Sequence, residues 1–498
     1  MLYMEFTARS LEFLALTFVF IVGLGVLLVA VLFVIDRTQT ADAVRRNYPV
    51  LGRFRHIFTE LGEFFRQYFF AMDREELPFN RAQRDWVKRA AGGKGNTVAF
   101  GSTRNLGVPG TPIFVNAAFP PLDEQATSAP PLVIGPGARR PYAARSFFNL
   151  SGMSYGALSR PAVEALSRGA QGAGIWMNTG EGGVSPYHLS GGADLVFQIG
   201  TAKYGVRDAA GALSDDKLRE VAAHEQVRMF EIKLAQGAKP GKGGILPAEK
   251  VTPEIAQIRG IRAGEASISP NRHVEVDDFG DLLDLIARVR EVTGKPVGIK
   301  TVMGDPEALR PFFALINARG EAPDFITIDG GEGGTGASPL PLMDLVGMTI
   351  REALPLLVDL RDEYGLKDRI RIVASGKLMV PGDVAWALCA GADFITSARG
   401  FMFSLGCIQA LKCNQNTCPT GITTHNKRFQ RGLVPEEKHA KVAAYAKGIV
   451  KEVETIAHSV GVQSPREMRR RHVRIVQDTG RSVLMSQLFP GSAAGGAP

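Results

Sequence analysis

The sequence predicts an α/β protein, a (β/α)8 barrel of the TIM type preceded by a transmembrane helix and a helical segment. Three observations predict it. From about residue 145, eight short, nearly continuous apolar runs alternate with helical stretches, the pattern of a parallel sheet wrapped by helices. Glycine-rich turns follow the last three runs. Ahead of all of them, Phe13 to Ile35 carries no charge and is rich in Leu, Val and Phe. A doubly wound sheet is the alternative, but no G-x-G-x-x-G follows the first strand.

The 498 residues, 45% hydrophobic and 22% charged, have an ordinary globular balance and the length for one large barrel with additions. Only 4 residues are cysteine, which argues against a disulfide framework and for a reducing compartment. The formal charge is +8, with much of the excess near the N-terminus and between Arg466 and Arg474. No aromatic residue interleaves that basic run. It therefore reads as a solvated helix face or an anionic partner surface rather than a nucleic-acid site.

The first element, residues 1–36, is a transmembrane anchor. At ~1.5 Å per residue, Phe13–Ile35 is long enough to span a bilayer core. It is long for a signal peptide, although Ala41-Asp42-Ala43 weakly resembles a cleavage site. Arg9, Glu5 and Glu12 precede the segment, whereas Arg37, Arg45, Arg46, Arg53 and Arg55 follow it. The positive-inside rule places the C-terminal bulk in the cytoplasm. Residues 37–140 form a helical and then extended connection. Ile57, Leu61, Phe64, Phe65 and Tyr68 recur at helical spacing, followed by Phe69 and Phe70. They could meet a membrane surface or cap the main domain, and core packing is the expectation. Beyond residue 91 the chain is Gly- and Pro-rich without a clear period.

Residues 141–435 form the barrel. Its strands are expected at 147–150, 174–178, 195–199, 229–233, 297–300, 325–329, 370–374 and 394–396. Residues 436–498 form a helix, with Val442, Tyr445, Ile449, Val453 and Ile456 on one side, and then a disordered tail from Gly491 to Pro498.

The chemistry is expected where strands end. Asp329-Gly330-Gly331-Glu332-Gly333-Gly334-Thr335-Gly336, Ser375-Gly376-Lys377 and Ser397-Ala398-Arg399-Gly400 end strands six to eight. Consecutive glycines let backbone N–H groups converge on an anion, so these turns read as a phosphate-bearing cofactor site. The bland alternative is simple tight turns. Lys300 ends strand five and either pairs with a carboxylate or meets a ligand; beside a flavin, its charge would stabilise the reduced ring. Glu231 and Lys233 alternate on strand four and share one side of the sheet, as a site or as an interior ion pair. Gln236 and Lys239 follow. Asn178 and Glu181 end strand two. His273 is a candidate substrate ligand, although a lone loop histidine is more often surface structure. Cys389, in an Ala-rich helix, reads as a core thiol.

Cys407, Cys413 and Cys418 stand as C-x5-C-x4-C. Three thiolates on a turn-rich segment suit a metal better than a core. The spacing is wide for structural zinc, which takes four ligands, and suits an iron–sulfur cluster lacking one iron corner. Buried thiols with one disulfide are the alternative. The segment begins just past the eighth strand, which would set a cluster beside the cofactor.

Several segments together resemble the FMN-binding barrel of the glutamate synthase family. They are Ser151-Gly152-Met153-Ser154-Tyr155-Gly156-Ala157-Leu158-Ser159, Asn178-Thr179-Gly180-Glu181-Gly182-Gly183, Glu231 through Gly241, and Gly333-Gly334-Thr335-Gly336-Ala337-Ser338-Pro339. The cysteine segment is similar to that family's [3Fe–4S] site, and the resemblance covers about residues 145 to 430. It implies that FMN, fed with electrons through the cluster, reduces 2-iminoglutarate, formed from 2-oxoglutarate and ammonia, to glutamate. It places Glu231 and Lys300 near the flavin and the 2-oxoglutarate site. Lys300 would hold substrate or flavin, and Glu231 would handle ammonia and its protons. Lys233, Gln236 and His273 are carried as substrate ligands. Ser151, Gly152, Met153, Ser154, Asn178 and the three glycine turns are carried as the FMN cradle.

The departures are equally specific. The family's large enzymes begin with a glutaminase domain bearing an N-terminal cysteine, whereas this chain begins Met1-Leu2-Tyr3. Little sequence follows the barrel for the family's β-helix domain. A separate glutaminase subunit or free ammonia is therefore expected, together with an electron-donor protein. A different amine or keto acid, as in methylglutamate synthase, and a non-catalytic electron-relay role are the alternatives.

Overall fold

The computed structural model describes residues 2–491. The tail beyond position 491, expected to be disordered, lies outside the described residues. The chain divides into two compact units, Met1–Ala82 and Gln83–Pro498.

The first unit opens with the helix Leu2–Thr38. Its 34-residue stretch Glu5–Thr38 has a mean hydropathy of 3.3 and none of it is buried, so by length and composition it can cross a membrane. Near its end the Asp36 carboxylate is fully enclosed. One oxygen accepts from Arg45 Nη2 (2.6 Å) and Arg53 Nη2 (2.8 Å). The other accepts from Arg53 Nε (2.8 Å) and the Val50 N–H (3.0 Å). This clamp turns the chain into two further helices, Ala43–Asn47 and Leu51–Phe65. Core packing is the expectation for Ile57, Leu61, Tyr68, Phe69 and Phe70, but all five are exposed. They lie on the helix Leu51–Phe65 and the π-helical turn Arg66–Phe70 that follows it.

The second unit is built on a closed barrel of eight parallel strands. We number them β1 (Phe148–Leu150), β2 (Met177–Asn178), β3 (Leu195–Ile199), β4 (Val227–Lys233), β5 (Val297–Thr301), β6 (Phe325–Asp329), β7 (Arg371–Ser375) and β8 (Phe394–Ser397). Each pairs with its neighbour in sequence, and β8 closes onto β1 through Ile395↔Phe148 and Thr396↔Asn149. All eight apolar runs of the sequence became barrel strands. They are buried along nearly their whole length, as strands covered on both faces must be.

The hairpin Leu132–Ile134 with Tyr142–Ala144 lies beneath the barrel. Ile134, Tyr142 and Ala144 pack with Trp176, Val196, Met229, Phe325, Val373 and Phe394 in one apolar cluster. This plug closes the N-terminal end and leaves only the C-terminal end for chemistry. The stretch 91–140 is thus less purely a connection than its composition suggests. Pro112–Phe114 also pairs with Val473–Val476.

The helix Pro435–Ser459 packs along the outside, burying Val442, Tyr445, Ala446, Ile449, Val453 and Ala457. Ile456 sits at the edge of that face and is only half-buried. The basic run Arg466–Arg474 is not a helix face. It forms short 3-10 turns and a strand, with Arg466 donating to the Asp393 carbonyl and Arg470 Nη2 pairing with Asp359 at 2.7 Å. These arginines tie the C-terminal segment to the barrel wall.

Candidate active site at the barrel mouth

Above the apolar plug the lumen changes character. One cavity is floored by Trp176, Val196, Met229, Phe325 and Val373 and walled by Ser151, Asn178, Glu231, Lys300, Thr327 and Thr396. Sequence reasoning named Ser151, Asn178, Glu231 and Lys300 separately. The fold brings them into one polar layer, because side chains two residues apart on a strand share a face.

Glu231 is the centre of that layer. Its Oε1 accepts from Asn178 Nδ2 at 2.8 Å and Gln198 Nε2 at 2.6 Å, and its Oε2 accepts from Thr327 Oγ1 at 2.6 Å. It makes no interior ion pair with Lys233. Gln198 and Thr327 were missed in the sequence. Their signal was the same one that exposed Asn178: a polar residue inside an apolar strand. Thr396, at the end of β8, has a buried hydroxyl with no partner.

Lys300 lies 3.4 Å from Asp329 Oδ2, which also accepts from the Gly237 N–H at 2.8 Å. Burial raises the Asp329 carboxyl, but Lys300, that N–H and the Ser375 hydroxyl together outweigh it and hold the pKa below the ordinary value. A Cβ on Gly237 would stand 1.9 Å from the Gly330 carbonyl. The loops after β4 and β6 therefore touch backbone to backbone. Gly376 (φ 131°) and Lys377 (φ 52°) turn the chain left-handed directly after β7.

A second charged group sits at the rim. Lys233 Nζ is 3.0 Å from both Glu181 Oε1 and Gln236 Oε1. Burial works against the Glu181 charge, but Lys233, Lys239 and Arg259 hold its pKa down at about 2. Burial and Lys233 push Lys239 down to about 8. Three cations thus surround one carboxylate. Lys239 was named in the sequence, whereas Arg259 was not. Gln236 Nε2 reaches the Gly334 carbonyl at 3.3 Å.

His273 is not a surface residue. It is 1% exposed, with Nε2 donating to the Lys233 carbonyl at 3.1 Å and Nδ1 buried without a partner. Gly400 has a packing reason, since a Cβ there would stand 2.0 Å from the Tyr445 hydroxyl. At Gly152 a Cβ would meet Asn178 Oδ1 at 3.2 Å and Gln198 Nε2 at 3.3 Å. Met153 is held by His188, whose Nε2 donates to its carbonyl at 3.1 Å. The Ser154 carbonyl accepts from the Leu158 N–H at 2.9 Å within the same loop. Gly333 and Gly336 lie along the β6 loop. Arg399, which follows Ala398, donates to the Thr335 carbonyl of that loop.

Arg399 also points Nη1 at Cys413 Sγ, 3.8 Å away. All four cysteines are free, so no disulfide forms among them. Cys389 is buried in its helix, and burial pushes its thiol well up. Cys407 Sγ accepts from the Gln409 N–H at 3.5 Å, and Cys418 Sγ lies 3.3 Å from Thr420 Oγ1. Burial raises the Cys407 thiol. Burial also acts on Cys418, but hydrogen bonds from Thr420 and Thr423 bring it below the ordinary value. Gln409, Leu411 and Asn416 all have positive φ, between 54° and 59°. For non-glycine residues this is costly and is held only where surroundings over-determine it. Among the described residues, no three His, Cys, Asp or Glu side chains converge on one metal ion. Cys407, Cys413 and Cys418 share the segment that follows the helix Arg399–Leu405.

Comparison with known proteins agrees with this architecture. A family model described as the conserved region in glutamate synthase matches residues 125–463. The glutamate synthase large subunit-like protein YerD of Bacillus subtilis (strain 168) is 39% identical over 508 residues, covering 94% of this chain and 96% of that protein. The archaeal glutamate synthase (NADPH) of Methanocaldococcus jannaschii is 34% identical over 326 residues, which is 65% of this chain and 60% of that protein. Among solved structures, a double mutant of flavocytochrome b2 with pyruvate bound aligns with a TM-score of 0.47 at 15% identity, covering 87% of this chain and 88% of that one. With a family model over more than half its length and a full-length relative at this identity, the chain belongs to the glutamate synthase family and is an oxidoreductase.

Proposed function

We propose that the chain reductively aminates 2-oxoglutarate to L-glutamate through 2-iminoglutarate, using FMN and a three-cysteine iron–sulfur cluster. The observation that carries the reading is the polar layer of the lumen, with Glu231 fixed by three donors and Lys300 beside it. FMN fits this mouth on two grounds. The orphaned Thr396 hydroxyl needs a partner, and the Lys300 ammonium stands in the same wall of the lumen. Ser151–Ser154, Asn178, Lys300, Gly333–Gly336, Ser375–Lys377 and Ala398–Gly400 would hold it. When bound and reduced, FMN supplies a hydride equivalent.

The protein side follows from the geometry. Ammonia condenses with the keto carbon and water leaves; two electrons and two protons, arriving as a hydride equivalent and a separate proton, then complete the amine. The Glu231 carboxylate, both of its oxygens engaged as acceptors, keeps free lone-pair capacity for an N–H of bound ammonia. Lys300, oriented by Asp329, places a cation at the mouth. The surplus of cations around Glu181 suits a substrate with two carboxylates. Lys233 and Gln236 would meet the substrate there, with His273 buried behind the Lys233 carbonyl.

Cys407, Cys413 and Cys418 would hold the cluster as thiolates, and the Arg399 guanidinium, 3.8 Å from Cys413 Sγ, would offset part of its negative charge. Electrons would arrive from a donor protein, and ammonia would be free or come from a glutaminase subunit. The helix Leu2–Thr38 would anchor the chain, with its arginine-rich following segment, and hence the barrel, in the cytoplasm.

Turnover of 2-oxoglutarate and ammonia with a chemically reduced donor tests the reading. Glutamate is the expected product. A preparation that holds flavin and iron but makes no glutamate would refute this substrate assignment. Cys413→Ser is expected to lose the iron while leaving the barrel's circular dichroism intact; normal iron content would refute the ligand set.

A further inference from the structure

Lys250 lies between the mouth and the cysteine loop, and nothing in the reaction outlined above uses it. It ends the 3-10 turn Ala248–Lys250 and is 2% exposed. Its Nζ donates to the Ala157 carbonyl at 2.9 Å and to the Cys413 carbonyl at 3.0 Å. Ala157 belongs to the loop that follows β1 at the mouth. Cys413 is the middle cysteine of the three. One ammonium therefore joins both loops.

Neighbouring bonds run the same way. His425 Nε2 donates to the Gly156 carbonyl at 2.8 Å, and the Ser159 N–H donates to the Ile422 carbonyl at 2.8 Å. Asn416 Nδ2 reaches the Glu249 carbonyl at 3.2 Å. These contacts are neutral, whereas the bond from Lys250 brings a charge, in addition to that of Arg399 beside Cys413 Sγ. Among the described residues no carboxylate forms an ion pair with it. The acidic groups within its reach are the thiols of Cys413 and Cys418.

A buried cation without a counter-ion is costly. Two carbonyl dipoles offset part of that cost. A thiolate-ligated group with net negative charge would supply the remainder. The same field would act on redox chemistry. Adding an electron to the group makes it more negative, and a fixed cation nearby favours that state.

We propose that Lys250 is a positioning residue for electron entry, its ammonium tying the first mouth loop to the cysteine loop and setting, by its charge, the reduction potential of the group those cysteines hold. This rests on the reading of Cys407, Cys413 and Cys418 as cluster ligands. The charge and the hydrogen bonds are separable by substitution. Lys250→Gln keeps N–H donors and removes the charge. Lys250→Met removes both. Lys250→Arg keeps both.

The experiment uses the full chain purified in detergent. Iron and acid-labile sulfide are measured first, and then the midpoint potential of the cluster by optical redox titration. The equilibrium constant for one-electron reduction is expected to fall about tenfold or more in both Lys250→Gln and Lys250→Met, which is ~59 mV downward. Lys250→Arg is expected to return it to within about threefold of the parent. Loss of iron in the two neutral variants with retention in Lys250→Arg supports the same role for the charge. An unchanged potential in iron-replete Lys250→Gln overturns it, as does loss of iron in Lys250→Arg. A parent protein without iron removes the cluster reading itself, a separate and distinguishable failure.

Discussion

His188 lies beneath the first mouth loop and is fully buried. Its Nδ1 accepts from the Ser185 N–H and hydroxyl, and its Nε2 donates to the Met153 carbonyl. That network requires the neutral ring, and burial lowers its pKa to about 4. The unfolded chain therefore binds one more proton than the folded chain between about pH 6.5 and 4. Stability is full above that window and falls as pH drops through it, by about 3 kcal/mol in all. Thermal unfolding across those pH values measures the slope, and His188→Gln is expected to flatten it. A parent slope that survives the substitution would assign it elsewhere. Glu231 calls for a different test. An amide at this position would turn one of its acceptor atoms into a donor facing Asn178, Gln198 or Thr327. Glu231→Gln is expected to cost about 1–3 kcal/mol of stability and at least ~100-fold in turnover. Calorimetry and steady-state rates read the two effects independently. Glu231 and Lys300 were legible in the sequence because a charge at the end of an apolar strand is conspicuous. Arg259, Lys250 and His188 were not, because each lies in a connecting segment where charged residues are common and only the fold shows them buried.

The helix Arg160–Ala173 and the helix Pro435–Ser459 pack closely at one glycine. A Cβ at Gly169 would lie 2.5 Å from Val442 Cβ and 2.8 Å from the His439 carbonyl. At Gly172, one turn on, the nearest atom is Ala443 Cβ at 3.7 Å, an ordinary contact. The two alanine substitutions should therefore differ in sign. Gly169→Ala is expected to destabilise by about 1–3 kcal/mol through overpacking. Gly172→Ala is expected to stabilise by about 0.5–1 kcal/mol, the helix-propensity gain. Chemical denaturation of both variants decides it, and a shared sign would mean that the helices are spaced differently. The C-terminal helix itself was legible from its apolar period. Its docking partner was not, since seven of the eight barrel strands separate the two helices in sequence.

On the scale of the whole molecule, the two units carry different surfaces. Unit one exposes a 34-residue apolar helix and a string of aromatic residues. Unit two contains every barrel strand, the lumen layer and the cysteine loop. Residues 83–498 are expected to fold alone as a soluble protein with the parent's far-ultraviolet circular dichroism, while the full chain requires detergent. Sedimentation velocity of both forms checks this; aggregation of 83–498 would mean that unit one covers part of it. The sequence by itself determined the eight strands, their order, the glycine turns, the apolar N-terminal helix and the cysteine spacing. Each is a local pattern of hydrophobicity or backbone freedom, readable within a few residues. Tertiary structure decided which polar residues meet. Closing β8 onto β1 turns one face of every strand inward, so Asn178, Gln198 and Thr327, drawn from three strands, converge on the Glu231 carboxylate of a fourth. It also decided that Lys233 pairs with Glu181 rather than Glu231, and that Lys250 joins two loops far apart in sequence. Those pairings depend on distances across the barrel, which no sequence period encodes.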